Sequence, residues 1–137
     1  PLMKGKIISA SQLLERFLFD SKKQYDFVEK LSGGELKRLY LCTVLIQNPN
    51  FLILDEPTAG LDPVSSEILK AKIIAEKNKG KLVLITSHVL SELDDLISQV
   101  IYMQDGKLCF HKSIASLQQE TGEEKLSKAI ASVMLKR

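Results

Sequence analysis

Two short, unbroken apolar runs constrain the fold of this chain more than any other feature. They read FLILD (51–55) and LVLIT (82–86), and runs of this kind are typical of strands buried on both faces of a parallel sheet. The segment between them has apolar residues at helical spacing from Pro63 to about Asn78. Strand, helix and strand in this order predict an α/β fold, with parallel strands and flanking helices.

The pattern on either side of this unit predicts further helices and one hairpin. We expect a helix from Ser9 or Ser11 to about Phe19, a loop over 20–30, a helix from Gly34 to Gln47 and a helix around 89–97. Asp105-Gly106 separates two strand-like runs and predicts a small β-hairpin near the carboxyl terminus. Two helices close the chain, and Thr121-Gly122-Glu123-Glu124 has the pattern of a capping box for the second.

Composition narrows the class of protein. The 137 residues are 45% hydrophobic and 26% charged with a net charge of +2, which predicts one soluble globular domain. No basic stripe is present, so we expect no direct DNA binding. We see neither a signal-peptide pattern at Pro1 nor an apolar run long enough to span a membrane. Cys42 and Cys109 are widely separated, and we expect buried thiols in a reducing cytoplasm.

Polar residues follow both predicted strands. Asp55 and Glu56 end the first run, and Ser87-His88 follows the second. Chemistry in parallel sheets gathers at the carboxyl ends of strands, so these residues are candidates for an active site. Asp55 could share a Mg²⁺ with a phosphate while Glu56 orients a water, and His88 could contact either. The alternatives are that Asp55 caps a turn, that Glu56 is solvated and that His88 is a surface residue.

The segment Leu31-Ser32-Gly33-Gly34-Glu35 places two glycines at the start of a helical pattern. Ser32 and Glu35 have the spacing of a capping box, which needs no ligand. A capping box does not require glycine at its middle positions, however. Side-chain-free amides at a helix N-terminus favour an anion, so a phosphate is the ligand that this segment predicts.

Four segments together resemble the ATP-binding cassette (ABC) ATPases. LSGGE with Arg38 resembles the signature motif, and FLILDEP (51–57) resembles the Walker B strand. Gly60-Leu61-Asp62-Pro63 resembles the D-loop, and Thr86-Ser87-His88 resembles the switch-histidine region. The resemblance implies a partial P-loop NTPase fold and phosphoryl transfer to water, with ATP and Mg²⁺ as cofactors.

The same resemblance implies roles for individual residues. Asp55 would help to hold Mg²⁺ as the metal ligand, and Glu56 and His88 would be the catalytic residues. Ser32, Gly33, Gly34 and Glu35 would form the nucleotide-binding signature, and Asp62 would communicate across a dimer of ATPase domains. Family members more often have glutamine where this chain has Glu35.

The phosphate-binding pattern G-x-x-x-x-G-K-[ST] is absent from the sequence. The chain therefore resembles the C-terminal part of one ABC ATPase domain. Residues 1–48 would end the helical subdomain and form the signature helix, 49–112 would form the core, and 113–137 the closing helices. In the family, the signature closes over ATP held by the Walker A loop of a second ABC domain. We expect the isolated chain not to hydrolyse ATP, and to be marginally stable or oligomeric because sheet edges are exposed.

The two parts of the chain resemble different branches of the family. Residues 1–58 resemble the ABC-F tandem ATPases, which act on ribosomes, and 59–137 resemble the ATPase subunit of an ABC-2-type exporter of the copper or nitrous-oxide-reductase maturation kind. Such a chain could be a truncation or a chimera. The exporter interpretation implies an integral-membrane permease as partner and a cytoplasmic location at the inner face of the membrane. A ribosome-associated ATPase fragment and a non-catalytic ABC scaffold fragment are the alternatives.

Overall fold

The structure is a computed structural model that describes residues 8–135, and these separate into two units. The first unit extends to Thr86 and the second begins at Ser87. The predicted parts 1–48 and 113–137 each include residues outside the described range.

Helices and two strands form the first unit. They are α1 (Ala10–Glu15), α2 (Gly33–Ile46), β1 (Phe51–Asp55), α3 (Pro63–Asn78) and β2 (Leu82–Thr86). Two 3-10 turns, Lys23–Tyr25 and Val28–Lys30, occupy the segment that was predicted to be a loop. The helices thus lie where apolar spacing predicts them, although α1 ends before Phe19.

The helix boundaries follow from the side chains that cap them. Ser9 and Ser32 each form a capping box at the start of α1 and α2. Asp62 caps α3, whose first residue is Pro63. These residues satisfy amides that have no partner within the helix, and proline at the first position lacks the amide altogether.

Strands β1 and β2 pair in parallel, with Phe51 opposite Leu82 and Asp55 opposite Thr86. The prediction that both strands are buried on both faces is wrong. Side chains alternate along each strand, and on one face Ile53 is 64% exposed and Leu82 is 65% exposed. In the described part of this unit, that face of the two-stranded sheet is therefore not covered.

The second unit contains a hairpin and two helices. Strands β3 (Gln99–Gln104) and β4 (Lys107–Ser113) are antiparallel, and helices α4 (Ile114–Thr121) and α5 (Leu126–Leu135) follow. Asp105 and Gly106 both have positive φ, at 50° and 71°. This geometry is that of the tight turn predicted from Asp-Gly, which is thereby confirmed.

Two local predictions in the second unit are wrong. The segment around 89–97 is not an α-helix but a 3-10 turn, Leu90–Glu92, followed by further turns. Leu93 and Leu96 are nevertheless buried, because i to i+3 bonding brings them to the same side. Thr121-Gly122-Glu123-Glu124 does not cap α5: Thr121 ends α4, and Gly122 adopts the left-handed conformation that terminates a helix.

Each unit has its own set of buried apolar side chains. Those of the first unit are Phe17, Phe19, Leu41, Cys42, Leu52, Leu69 and Ile73, and those of the second are Leu93, Leu96, Phe110, Leu117, Leu126, Ala129, Ile130 and Val133.

The two cysteines differ in burial. The expectation of a buried thiol is confirmed for Cys42, whose burial raises its pKa, whereas Cys109 is only half-buried. Within residues 8–135, no helix combines the length and apolar character needed to cross a bilayer.

Candidate functional site

The amino end of α2 is the best-defined part of the candidate site. The Ser32 hydroxyl accepts a hydrogen bond from the Glu35 amide at 3.3 Å, and the Glu35 carboxylate accepts one from the Ser32 amide at 2.8 Å. The predicted capping box is therefore confirmed. It fixes the entry of the chain into the helix and satisfies two amides that would otherwise lack a partner.

The Glu35 carboxylate also forms an ion pair outside the helix. Its second oxygen lies 2.7 Å from Lys23 Nζ. The bond from Lys23 and then that from the Ser32 amide lower the pKa of Glu35 from 4.5 to about 2. The hydrogen bond to Glu35 in turn raises the pKa of Lys23. Glu35 is thus a fixed anion whose two oxygens are occupied by the cap and by Lys23.

The two signature glycines have different surroundings. A Cβ added to Gly33 would meet nothing within 4 Å, whereas one added to Gly34 would lie 3.3 Å from Leu61 Cδ2 and 3.7 Å from the Gly60 carbonyl oxygen. Gly33 thus leaves the helix end open to a ligand. The small size of Gly34 is explained by the approach of residues 60–61.

Two basic residues in the first turns of α2 contact the segment after β1. Lys37 Nζ donates to the carbonyl oxygens of Glu56 at 2.9 Å and Ala59 at 2.8 Å. Arg38 is 9% exposed and donates to the Ser65 hydroxyl, with its guanidinium 3.9 Å from an Asp62 carboxylate oxygen. The signature helix is thereby joined to both ends of the segment 56–65.

Asp62 begins α3 as its N-cap. Its carboxylate accepts from the Ser65 amide at 3.0 Å and from the Ser65 hydroxyl. These bonds lower the pKa of Asp62, with the Ser65 hydroxyl as the main cause. Asp62 is among the residues predicted from the sequence and Ser65 is not, although an acidic cap followed three residues later by serine is a visible signal.

The last residues of β1 and β2 lie side by side. The Thr86 hydroxyl donates to the Asp55 carboxylate, so Asp55 is hydrogen-bonded to the neighbouring strand. The Glu56 amide donates to the Thr86 carbonyl at 3.0 Å, and Glu56 has a φ of 43°, which non-glycine residues seldom adopt. The structure thus brings Asp55 and Glu56 together with Thr86, for which the sequence predicts a motif but no role of its own.

His88 is exposed and belongs to the second unit, two residues beyond the end of β2. The signature, Asp55, Glu56 and Asp62 all belong to the first unit.

The Asp55 carboxylate fits a Mg²⁺ ion whose other ligands are water and phosphate oxygens. Residues 8–135 contain no group of three or more His, Cys, Asp or Glu side chains that could hold an ion. Asp55 offers one carboxylate at a strand end, and Mg²⁺ commonly takes only one or two carboxylates together with water and phosphate oxygens. The open helix end at Gly33 fits a phosphate group.

The chain is similar in sequence to known ABC proteins. The family described as "ABC transporter" matches residues 3–59. The chain is 43% identical over 100 residues to the uncharacterized ABC transporter ATP-binding protein YfmR of Bacillus subtilis, covering 73% of this chain and 15% of YfmR. It is 36% identical over 99 residues to the lipopolysaccharide export system ATP-binding protein LptB of Haemophilus influenzae, covering 72% of this chain and 41% of LptB. The chain thus spans less than half the length of these relatives.

A solved structure shows the same fold. The ATP-binding cassette MJ0796, described as a dimer in a post-hydrolysis state with bound ADP and Pi, superposes with a TM-score of 0.65 at 20% identity. The match covers 80% of this chain and 50% of the MJ0796 chain. The prediction of an α/β fold of the ABC ATPase kind is confirmed.

Proposed function

Since this chain is homologous to the ATP-binding proteins of ABC transporters, we propose that it forms part of the ATPase subunit of an exporter and closes over ATP held by a second ABC domain. The export assignment is supported by relatives such as LptB, whose name describes an export system. In this proposal the subunit acts at the inner face of the membrane with an integral-membrane permease.

One observation carries this proposal: the capped, open end of α2 is anchored to the D-loop segment. Gly33 offers uncovered backbone, while Lys37 and Arg38 attach the same helix to residues 56–65. A rigid connection of this kind would present the signature and Asp62 as one surface. Such a surface suits a phosphate approaching from another polypeptide.

The chain's residues divide into two groups by role. Ser32, Gly33 and Gly34 would contact the terminal phosphate of the ATP of the second domain, with Glu35 holding Ser32 in place, and Asp62 would communicate across that interface.

Asp55 would help to hold Mg²⁺, Glu56 would orient and polarise the attacking water, and His88 would hydrogen-bond that water or the phosphate. The second group would act in an intact domain that also has a Walker A loop. Bound Mg²⁺ would neutralise part of the negative charge on the phosphates.

The test is ATP-dependent association in trans. The 137-residue chain is mixed with a complete bacterial ABC ATPase domain whose Walker B glutamate is changed to glutamine, and complex formation is followed by analytical ultracentrifugation with and without ATP and Mg²⁺. We expect a complex only when ATP and Mg²⁺ are present. Its absence under all conditions would contradict the proposal and favour the non-catalytic scaffold.

Gly33→Asp and Gly33→Ala form the matched pair for this experiment. A Cβ at position 33 would meet no neighbouring heavy atom within 4 Å, and an acidic residue in the first helical turn is favourable to the helix dipole. Gly33→Asp should therefore fold as well as the parent while its charge repels the phosphate and abolishes association. Gly33→Ala should associate more weakly than the parent but still detectably.

Turnover and binding partners distinguish the remaining alternatives. The chain alone should show no ATP hydrolysis, because the sequence contains no Walker A pattern. Normal turnover that is abolished by Glu56→Gln would overturn this expectation. In cells, copurification with a membrane permease would support the exporter, and sedimentation with ribosomes would instead support an ABC-F protein.

A further inference from the structure

Glu56 is held in an unfavourable backbone conformation by contacts on two sides. Its φ is 43°, in the left-handed region that glycine favours. Its amide donates to Thr86 in the neighbouring strand at 3.0 Å, and its carbonyl accepts from the Ala59 amide at 3.2 Å. Residues 56–59 therefore form a tight turn directly after β1, closed by the bond between Ala59 and Glu56.

Lys37 reaches this turn from α2. Its ammonium group donates to the carbonyl oxygens of the first and last residues of the turn, Glu56 at 2.9 Å and Ala59 at 2.8 Å. The Glu56 carbonyl thus accepts both from Lys37 and from the Ala59 amide. Hydrogen bonds from a charged donor are stronger than those between neutral groups.

The position of Lys37 in the helix gives this contact its significance. Lys37 lies two residues after Glu35 of the capping box and three after Gly34, which packs against Leu61. The helix end that carries the signature is therefore bonded to the turn that carries Glu56. A displacement of one would be transmitted to the other through the Lys37 side chain.

We propose that Lys37 is a positioning residue, which holds the 56–59 turn in its left-handed geometry and thereby sets the direction of Glu56 relative to the signature helix. The importance of that direction rests on the role proposed for Glu56 above. The contact itself is a property of the folded chain and can be measured without nucleotide.

The experiment compares three variants of the 137-residue chain by NMR-detected amide exchange and by the Glu56 Cα chemical shift, which reports left-handed backbone. Lys37→Met removes the charge but retains most of the stem, and Lys37→Arg retains a charged donor. Lys70→Met is the control, since Lys70 is on α3 and pairs with Glu67 at 2.9 Å.

In Lys37→Met we expect the Ala59 amide to exchange about tenfold faster, the size of effect expected when bonds from a charged donor are lost. The Glu56 Cα shift should move toward extended values, while amides in α3 keep their protection because Lys37 is exposed. Lys37→Arg should restore most of both signals, and Lys70→Met should leave both unchanged.

Two results would overturn the proposal. One is an Ala59 exchange rate and a Glu56 shift in Lys37→Met that match those of Lys70→Met. The other is a loss of protection spread equally over α3 and β1, which would indicate general destabilisation. Because nucleotide is absent, these results are independent of the ATP-dependent association that tests the proposed function.

Discussion

Gly34 packs directly against Leu61: a Cβ on Gly34 would lie 3.3 Å from Leu61 Cδ2, closer than side chains normally approach. Its neighbour Gly33 has open space around the same position. The two glycines of one motif therefore differ in their surroundings. Gly34 allows the signature helix to contact the D-loop, and Gly33 leaves backbone uncovered.

This difference predicts unequal effects of two alanine substitutions on the free energy of unfolding. Gly33→Ala should stabilise the fold by up to about 1 kcal/mol, because alanine is the better helix former and meets no neighbour. The free energy of unfolding of Gly34→Ala should be lower than that of Gly33→Ala by at least about 0.5 kcal/mol, because Leu61 has to move. Urea denaturation measures both free energies of unfolding. Equal values for the two variants would contradict this explanation of Gly34.

The ion pair between Glu35 and Lys23 predicts a pH-dependent contribution to stability. Since the pKa of Glu35 is lowered from 4.5 to about 2, its stabilisation is complete above pH 4.5 and is lost as the pH falls toward 2. Glu35→Gln retains an acceptor for the Ser32 amide but loses the charge.

The parent should therefore be more stable than Glu35→Gln at pH 7, and the gap should close near pH 2. Denaturation curves of the two proteins across this range provide the measurement. A gap that stays constant from pH 7 to 2 would show that the charge of Glu35 is not involved.

Arg38 and Ser65 should be energetically coupled. Arg38 is 9% exposed, donates to Ser65 and has its guanidinium 5.7 Å from the centre of the Phe19 ring. Arg38→Ala should cost about 2–4 kcal/mol, through lost packing of the stem and a lost charge-assisted bond. A double-mutant cycle with Ser65→Ala should give a coupling energy of about 1–2 kcal/mol.

The control for this cycle is Lys70→Ala on α3, which should change stability by less than about 0.5 kcal/mol. Additive effects of Arg38→Ala and Ser65→Ala would mean that the bond between them contributes nothing measurable.

The exposed apolar face of β1 and β2 predicts self-association. Phe51, Ile53, Leu82 and Leu84 lie on this face and are all exposed. The parent chain should show a sedimentation coefficient that rises with concentration, and Ile53→Lys should reduce this rise by placing a charge within the face. Val64→Lys, at a 63% exposed position on α3, should not. A monomeric parent with a cooperative melting transition would contradict the prediction.

The sequence predicts local features of this fold well where one residue determines the geometry. Ser32 begins a helix because its side chain caps an amide, Pro63 lies at the first position of α3, and Asp105-Gly106 forms a hairpin because both residues accept positive φ. These signals depend on a few adjacent residues, so they survive in any tertiary context.

The sequence predicts local structure less well where contacts with residues distant in the chain determine it. The segment 89–97 has helical spacing, but the Asp94 carboxylate accepts from the Leu126 amide at 3.0 Å and Ser87 accepts from the Val89 amide at 3.1 Å. Such contacts favour turns over a helix. Likewise, an apolar strand sequence does not show whether one face of the sheet is left exposed. The contacts of Lys37 with Glu56 and Ala59 join residues about twenty positions apart, which no local sequence pattern connects.

The uncovered face of β1 and β2 also bears on how much of this chain a cell would contain. Apolar strand surfaces that stay open are recognised by chaperones and proteases, which remove marginal proteins continuously. At a given rate of synthesis, abundance would then depend on how quickly that surface is covered. Expressed without whatever covers β1 and β2, the chain would be short-lived.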